Sequence, residues 1–284
     1  MQNITKIDKN AKEILSNKSL LSFFMKELIP DYKDIDKHEI EKLIEFSDDK
    51  AIIGSNREMF TSGNKIVFDL LVTPRLPNSE EKIGMFINIE FQNTSNMDEL
   101  LDRSIRYASA LISRQVGKKN NRHYLKDVYS IWICTLPRKQ ERDTIYKASL
   151  FLRNIAGKGS RSSKELSKLN IIFINIGGKY PMNDINEKIL NVCNLLFENK
   201  PTIKARDIIT ILDEKYDILI GEEEVNKVAS FEQAMFDLGY EKATVDYIVK
   251  MVDSGIPKEK AFDILNVNDY LKDLVTIELK KKHK

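Results

Sequence analysis

A β-hairpin with carboxylates at positions where apolar side chains belong constrains this chain more than any other feature. Residues 65–73 (KIVFDLLVT) and 84–92 (GMFINIEFQ) are short and rich in β-branched and aromatic side chains, and the segment between them, RLPNSEEK, has the composition of a turn. Side chains alternate across a strand. Glu90 and Gln92 therefore share one face while Ile87, Ile89 and Phe91 share the other, and Asp69 is expected to interrupt the row of Val67 and Leu71 on the neighbouring strand. An unpaired ion in an apolar interior costs on the order of several kcal/mol. Two carboxylates side by side thus imply a cation, a shared proton or an edge open to water.

Oxygen donors on adjacent strands suit a hard divalent ion. Magnesium accepts one or two carboxylates, keeps several waters and completes its shell with phosphate oxygens, and manganese takes similar donors, so such a site would polarise a phosphodiester and present a nucleophile. Asp69 and Glu90 are the expected metal ligands, and Gln92 the group that positions a water, which makes these three the expected catalytic residues. His38, His123 and His283 have no zinc-like spacing, so a metal site here is expected to be carboxylate-based.

The hairpin resembles the PD-(D/E)XK nuclease superfamily, and within it the recombination-promoting nuclease and transposase (Rpn) family, in which a strand Asp is followed by a strand Glu-x-Gln with Gln in place of the more usual Lys. The segments IDKNAKEILSNKSLLSFFMKELIPDY, KIVFDLLVTPRL, KIGMFINIEFQ, DRSIRYASALISRQ and VYSIWICTLP follow in the family's order and extend the resemblance over roughly residues 1–200. The resemblance implies an α/β fold with a restriction-endonuclease-like mixed β-sheet flanked by helices. It also implies a metal-dependent DNA endonuclease associated with recombination or mobile elements, using Mg2+ or Mn2+. On the helix after the hairpin, Arg103, Tyr107 and Gln115 match the family's Arg, Tyr and Gln. A third acidic ligand often comes from an N-terminal helix in this superfamily, and Glu45 and Glu58 both remain open for that role.

On that helix, Leu101, Ile105, Ala108, Ile112 and Val116 recur at spacings of three and four, which predicts that their face packs on the sheet. Arg103, Tyr107, Ala110 and Arg114 fall on another face, where Arg103 and Tyr107 could contact one phosphate. Gln115 lies near the apolar edge, where an amide needs a partner. Trp132, between Ile131 and Ile133, reads as a core strand residue with no site role.

The net charge of +2 conceals a segregation. Residues 114–164 carry thirteen Lys/Arg against three Asp/Glu, whereas residues 207–278 carry seven against seventeen. A basic sector beside a metal site is the footprint of a protein that docks on phosphate backbones, and Arg114, Lys118, Lys119 and Arg122 are its expected DNA contacts.

Helices are expected at 11–29 and 37–46, at 97–116 and at about 184–197, and strands at 128–136, 144–152 and 169–176. GSNREMF reads as a loop, and GKGSRSSKELSK (157–168) as a loop able to close over a polyanion. A nuclease-like domain is expected over residues 1–201 and an acidic helical region over 202–284, with helices at 204–216, 222–238, 243–253 and 258–265 and a disordered KKKHK tail. MVDSGIPKEKAFDILNV has the length of a helix-turn-helix, but its acidity argues against DNA reading. Phe231, Met235, Leu238 and Tyr240 suggest instead a regulatory region or a homo-oligomer interface.

Cys134 and Cys193 lie in apolar stretches and are expected to be buried thiols. No run approaches the length of a membrane span and the start lacks a signal-peptide core, so a cytoplasmic protein is expected. The alternative to an enzyme is a nuclease-fold protein with a silent site that binds nucleic acid or regulates. Gln92 keeps it open, since an amide is neither a general base nor a positive charge.

Overall fold

Short β-branched runs build a six-stranded sheet in the computed structural model, which describes residues 2–44, 55–61, 64–80, 84–92, 96–115, 125–150, 153–159, 168–177, 187–197, 205–221 and 240–282. β1 (Ser55–Thr61), β2 (Asn64–Val72), β3 (Met85–Gln92), β4 (Asp127–Cys134), β5 (Thr144–Ser149) and β6 (Leu169–Asn175) lie in the order β1-β2-β3-β4-β6-β5. β3, β4 and β6 are parallel; β1 and β2 at one edge and β5 at the other pair antiparallel.

Parallel strands need cover on both faces, and both are covered. Ile87, Ile89, Phe91, Ile131, Ile133, Ile172 and Ile174 pack in one core with residues of α1 (Gln2–Leu15), α2 (Lys18–Leu28), α3 (Lys37–Leu43), α5 (Lys188–Phe197) and α6 (Ala205–Tyr216). Val128, Trp132, Cys134, Ile171 and Phe173 pack on the opposite face with α4 (Met97–Gln115). The fold is therefore α/β, a restriction-endonuclease-like mixed sheet flanked by helices. Both cysteines are free and buried, and burial, with Glu141 adding to it, pushes the Cys134 thiol up to about 12.

The turn between β2 and β3 depends on one glycine. Gly84 donates its N–H to the Pro74 carbonyl at 2.8 Å, and a Cβ there would lie 2.5 Å from the Leu76 nitrogen. Any side chain would push the turn apart.

Several elements depart from expectation. The helix predicted over 11–29 is two, because Asn17 leaves the helical conformation and its side chain accepts the Leu20 N–H, capping α2. The apolar period runs through both helices and hides the break. GSNREMF is not a loop: residues 55–61 form β1, which satisfies the backbone groups at the β2 edge. The expected strand at 144–152 is β5, a largely exposed edge ending at Ser149. α9 (Asp269–Lys282) lies beyond the last predicted helix and takes in residues 280–282 of the KKKHK expected as a disordered tail; His283 and Lys284 lie outside the described residues.

The division expected after residue 201 falls between α5 and α6, and α6 packs on the same core as α5. Ile208, Leu212, Tyr216, Ile218 and Ile220 are all buried there. Beyond it, α7 (240–253), α8 (Lys258–Ile264) and α9 share a separate cluster of Ile248, Ala261, Phe262, Val267, Leu271 and Val275. The helix expected over 222–238 lies outside the described residues, with Phe231, Met235 and Leu238; Tyr240 is 61 % exposed.

Candidate metal and phosphodiester site

The site lies where β2 and β3 part. Phe68 and Leu71, three residues apart, both pack under α4, while Leu70 and Val72 pack on the opposite face. Strict alternation cannot place 68 and 71 together, so the alternation of β2 breaks at Asp69–Leu70, although its pairing with β1 keeps one register from Ser55↔Leu70 to Arg57↔Phe68. This corrects the expectation that Asp69 interrupts a row of Val67 and Leu71. The β2–β3 ladder runs from Val72↔Ile87 to Leu70↔Ile89. Beyond it, side chains replace the ladder: Phe91 N–H donates to Asp69 Oδ2 at 3.1 Å and Asp69 N–H donates to Glu90 Oε1 at 3.2 Å.

Glu90 is 1 % exposed, and Asn88 Nδ2 lies 3.5 Å from its Oε1. Burial first, and then the charge of Asp69, push the Glu90 carboxyl well above its ordinary range, against the Asp69 N–H, Arg103 and Asn88. Asp69 is more accessible, and its Oδ1 meets Lys12 Nζ of α1 at 2.9 Å. Gln92 Oε1 accepts from Arg103 Nη1 at 2.9 Å, which fixes which end of the amide faces the guanidinium. Arg103 in turn lies 5.5 Å from the Trp132 ring centroid and 5.9 Å from that of Tyr107. Tyr107 donates its hydroxyl to the Val67 carbonyl at 3.4 Å and packs edge-on against Phe68. Burial, then Glu90 and Asp69, raise its hydroxyl above the ordinary value, opposed by Arg103.

These contacts require α4 to be turned from its predicted orientation. Leu100, Ser104, Ala108 and Leu111 are buried against the sheet, flanked by Arg103 and Tyr107, whereas Leu101 and Ile105 are 43 % and 46 % exposed. An open cleft of about 540 Å³, lined by Glu99, Asp102, Arg103, Ile105 and Arg106, adjoins the guanidinium.

Asp69, Glu90, Gln92, Arg103 and Tyr107 are thus brought together. Gln115 is not among them: it sits twelve residues beyond Arg103, roughly 18 Å along α4, and pairs with both backbone groups of Lys126, where it fastens the start of β4. Arg114 is exposed at the end of α4. Glu45, Lys118, Lys119 and Arg122 lie outside the described residues, as does most of the 157–168 loop. Glu58 is in β1 with its backbone opposite Val67, its side chain outside what is described. Neither Lys12, one helical position from the apolar Ala11, nor Trp132 as the support for Arg103 was marked out by residue pattern.

Among the described residues no group of three His, Cys, Asp or Glu stands ready to hold a metal. The donor set still fits a hard divalent ion. Asp69 and Glu90 offer carboxylate oxygens, burial holds the Glu90 carboxyl well above its ordinary range, a penalty that a bound cation would offset, and Asn88 Oδ1, two positions along the same face, is buried with no hydrogen-bond partner among the described residues. Residues 11–187 match the family model described as PD-(D/E)XK nuclease family transposase. No curated protein and no solved structure gives a match.

Proposed function

The chain belongs to the PD-(D/E)XK nuclease family of transposases, and on that premise we propose that it is a cytoplasmic, metal-dependent DNA endonuclease acting in recombination or on mobile elements. The observation that carries this is the pair of carboxylates, Asp69 and Glu90, each bonded to backbone at the point where β2 and β3 part. They would hold Mg2+ or Mn2+. When bound, the ion supplies Lewis-acid polarisation of the phosphodiester and lowers the pKa of an attacking water.

The remaining work falls to side chains. With Oε1 held by Arg103, Gln92 has its NH2 free to orient a water or a phosphate oxygen, but it cannot take a proton. Arg103 brings to the site the fixed positive charge that an amide at position 92 lacks, and its planar fork suits a phosphate. Tyr107 holds that guanidinium in place. Arg114, Lys118, Lys119 and Arg122 hold the duplex through its phosphates. Of the acidic helical region, residues 202–284, the part beyond Gly221 serves as a regulatory or homo-oligomerising element.

Supercoiled plasmid incubated with the protein and magnesium or manganese is expected to be nicked or linearised, and to stay supercoiled in EDTA. Retention of plasmid without cutting under either ion would leave the chain a nucleic-acid-binding module on a nuclease fold.

A further inference from the structure

The one cation paired with a proposed metal ligand among the described residues comes from the chain itself. Lys12 Nζ sits 2.9 Å from Asp69 Oδ1, and the two side chains are 21 % and 17 % exposed, so water covers little of either. The lysine's root is fixed. Ala11, Ile14 and Leu15, around it on α1, are fully buried against the sheet. Its four-carbon stem is flexible, and the ammonium at its end is a compact point charge.

The two oxygens of Asp69 are differently engaged. Oδ2 accepts the Phe91 N–H, which fixes the carboxylate between the strands, and Oδ1 carries the ammonium. A divalent ion binds carboxylate oxygen at roughly 2.1 Å. An ion on Oδ1 and an ammonium on the same oxygen would stand within a few ångströms of each other, where like charges in a poorly hydrated site repel strongly.

We propose that Lys12 is the built-in cation of this site: it holds Asp69 while no metal is bound, and the divalent ion must exchange with it, so that Lys12 sets the affinity for the ion. This rests on the metal-site assignment above and adds to it the identity of the competitor. The exchange keeps Asp69 in the conformation the metal needs, because the Phe91 N–H is undisturbed by it. It also discriminates against monovalent ions, which bring no more charge than the ammonium they would displace.

The test is Mn2+ binding by calorimetry to the full chain, comparing wild type with Lys12→Met, which keeps the stem's packing and removes the charge, and Lys12→Gln as a second variant should the first fold poorly. Thermal melting in EDTA and with Mn2+ accompanies it. Removal of the ammonium is expected to tighten Mn2+ binding about tenfold, to lower the melting temperature in EDTA, and to enlarge the rise in melting temperature that Mn2+ produces. Wild type that binds Mn2+ with variants that bind it equally or more weakly would overturn the proposal while leaving the metal site intact. Absence of binding in all three would overturn the metal-site assignment and the proposal with it. Binding by the variants alone would support both.

Discussion

Arg103 donates from Nη1 to Gln92 Oε1 at 2.9 Å, and that contact joins the helix α4 to the last residue of β3. The guanidinium lies against both the Trp132 and the Tyr107 ring, which pack on each other with centroids 5.5 Å apart, so its position is set by packing as well as by the hydrogen bond. Removing a preorganised donor of this kind costs on the order of 10²-fold in kcat. Arg103→Ala is expected to lower kcat by about that factor with little change in DNA affinity, and Arg103→Lys to recover only a small part of it, since a point charge neither stacks nor forks. Trp132, the single tryptophan, reports the loss of its cation as a change in fluorescence.

Glu90 links the site to stability. Its native pKa lies above its unfolded value, so the folded state holds the proton longer, and metal-free wild type should lose stability as pH rises past the ordinary glutamate value of 4.5. Glu90→Gln has no charge to desolvate. Melting in EDTA across about pH 4 to 8 should find the two proteins alike at the acid end and the variant increasingly the more stable as pH rises towards neutrality. A variant less stable at neutral pH would mean that Glu90 is ionised and well paired without metal.

What the sequence made legible was whatever depends on period and composition. The hairpin, the core strands and the Asp69, Glu90, Gln92 grouping follow from alternation and from polar residues in apolar runs, whereas the parallel direction of those strands does not. The break in alternation at Asp69–Leu70 was invisible, because KIVFDLLVT reads as a strand equally well with it as without. α4 turned out rotated because its apolar stripe is wide. Leu101 and Ile105 fit a helical period as well as Leu100, Ala108 and Leu111 do, and only the sheet's Trp132 and Phe68 select which stripe is buried. Lys12 could not be read at all, since a lysine beside an apolar stripe is ordinary and its partner lies 57 residues away.

The limits of the catalytic unit can be tested by truncation. A chain ending at residue 201 loses Ile208, Leu212, Tyr216, Ile218 and Ile220 from the main core, each worth about 1.5–3 kcal/mol of burial, against a total stability of about 5–15 kcal/mol. That fragment is expected to be insoluble. We place the practical boundary after Gly221: a chain ending there should fold, have a lower oligomeric state by light scattering, and bind non-specific DNA more tightly at low salt, because the acidic helices no longer compete for the basic sector. A soluble, well-folded 1–201 fragment would refute this placement.

Charge reversal at Lys118, Lys119 and Arg122 separates docking from chemistry. Each lost phosphate contact removes about 0.9 from the slope of log affinity against log salt, so the triple variant should bind weakly with a flatter salt dependence while turnover of bound DNA changes less. An unaltered slope in filter binding would place these residues away from the substrate.

The central claim is that Asp69 and Glu90 together hold the ion that cuts DNA. The direct measurement is plasmid cleavage with magnesium by wild type, Asp69→Asn and Glu90→Gln, purified in parallel and matched for folding by circular dichroism. Metal-dependent cutting by wild type that falls at least about 10³-fold in both variants, as loss of a charge-bearing catalytic group predicts, is the expected result. Equal cutting by all three would contradict the account.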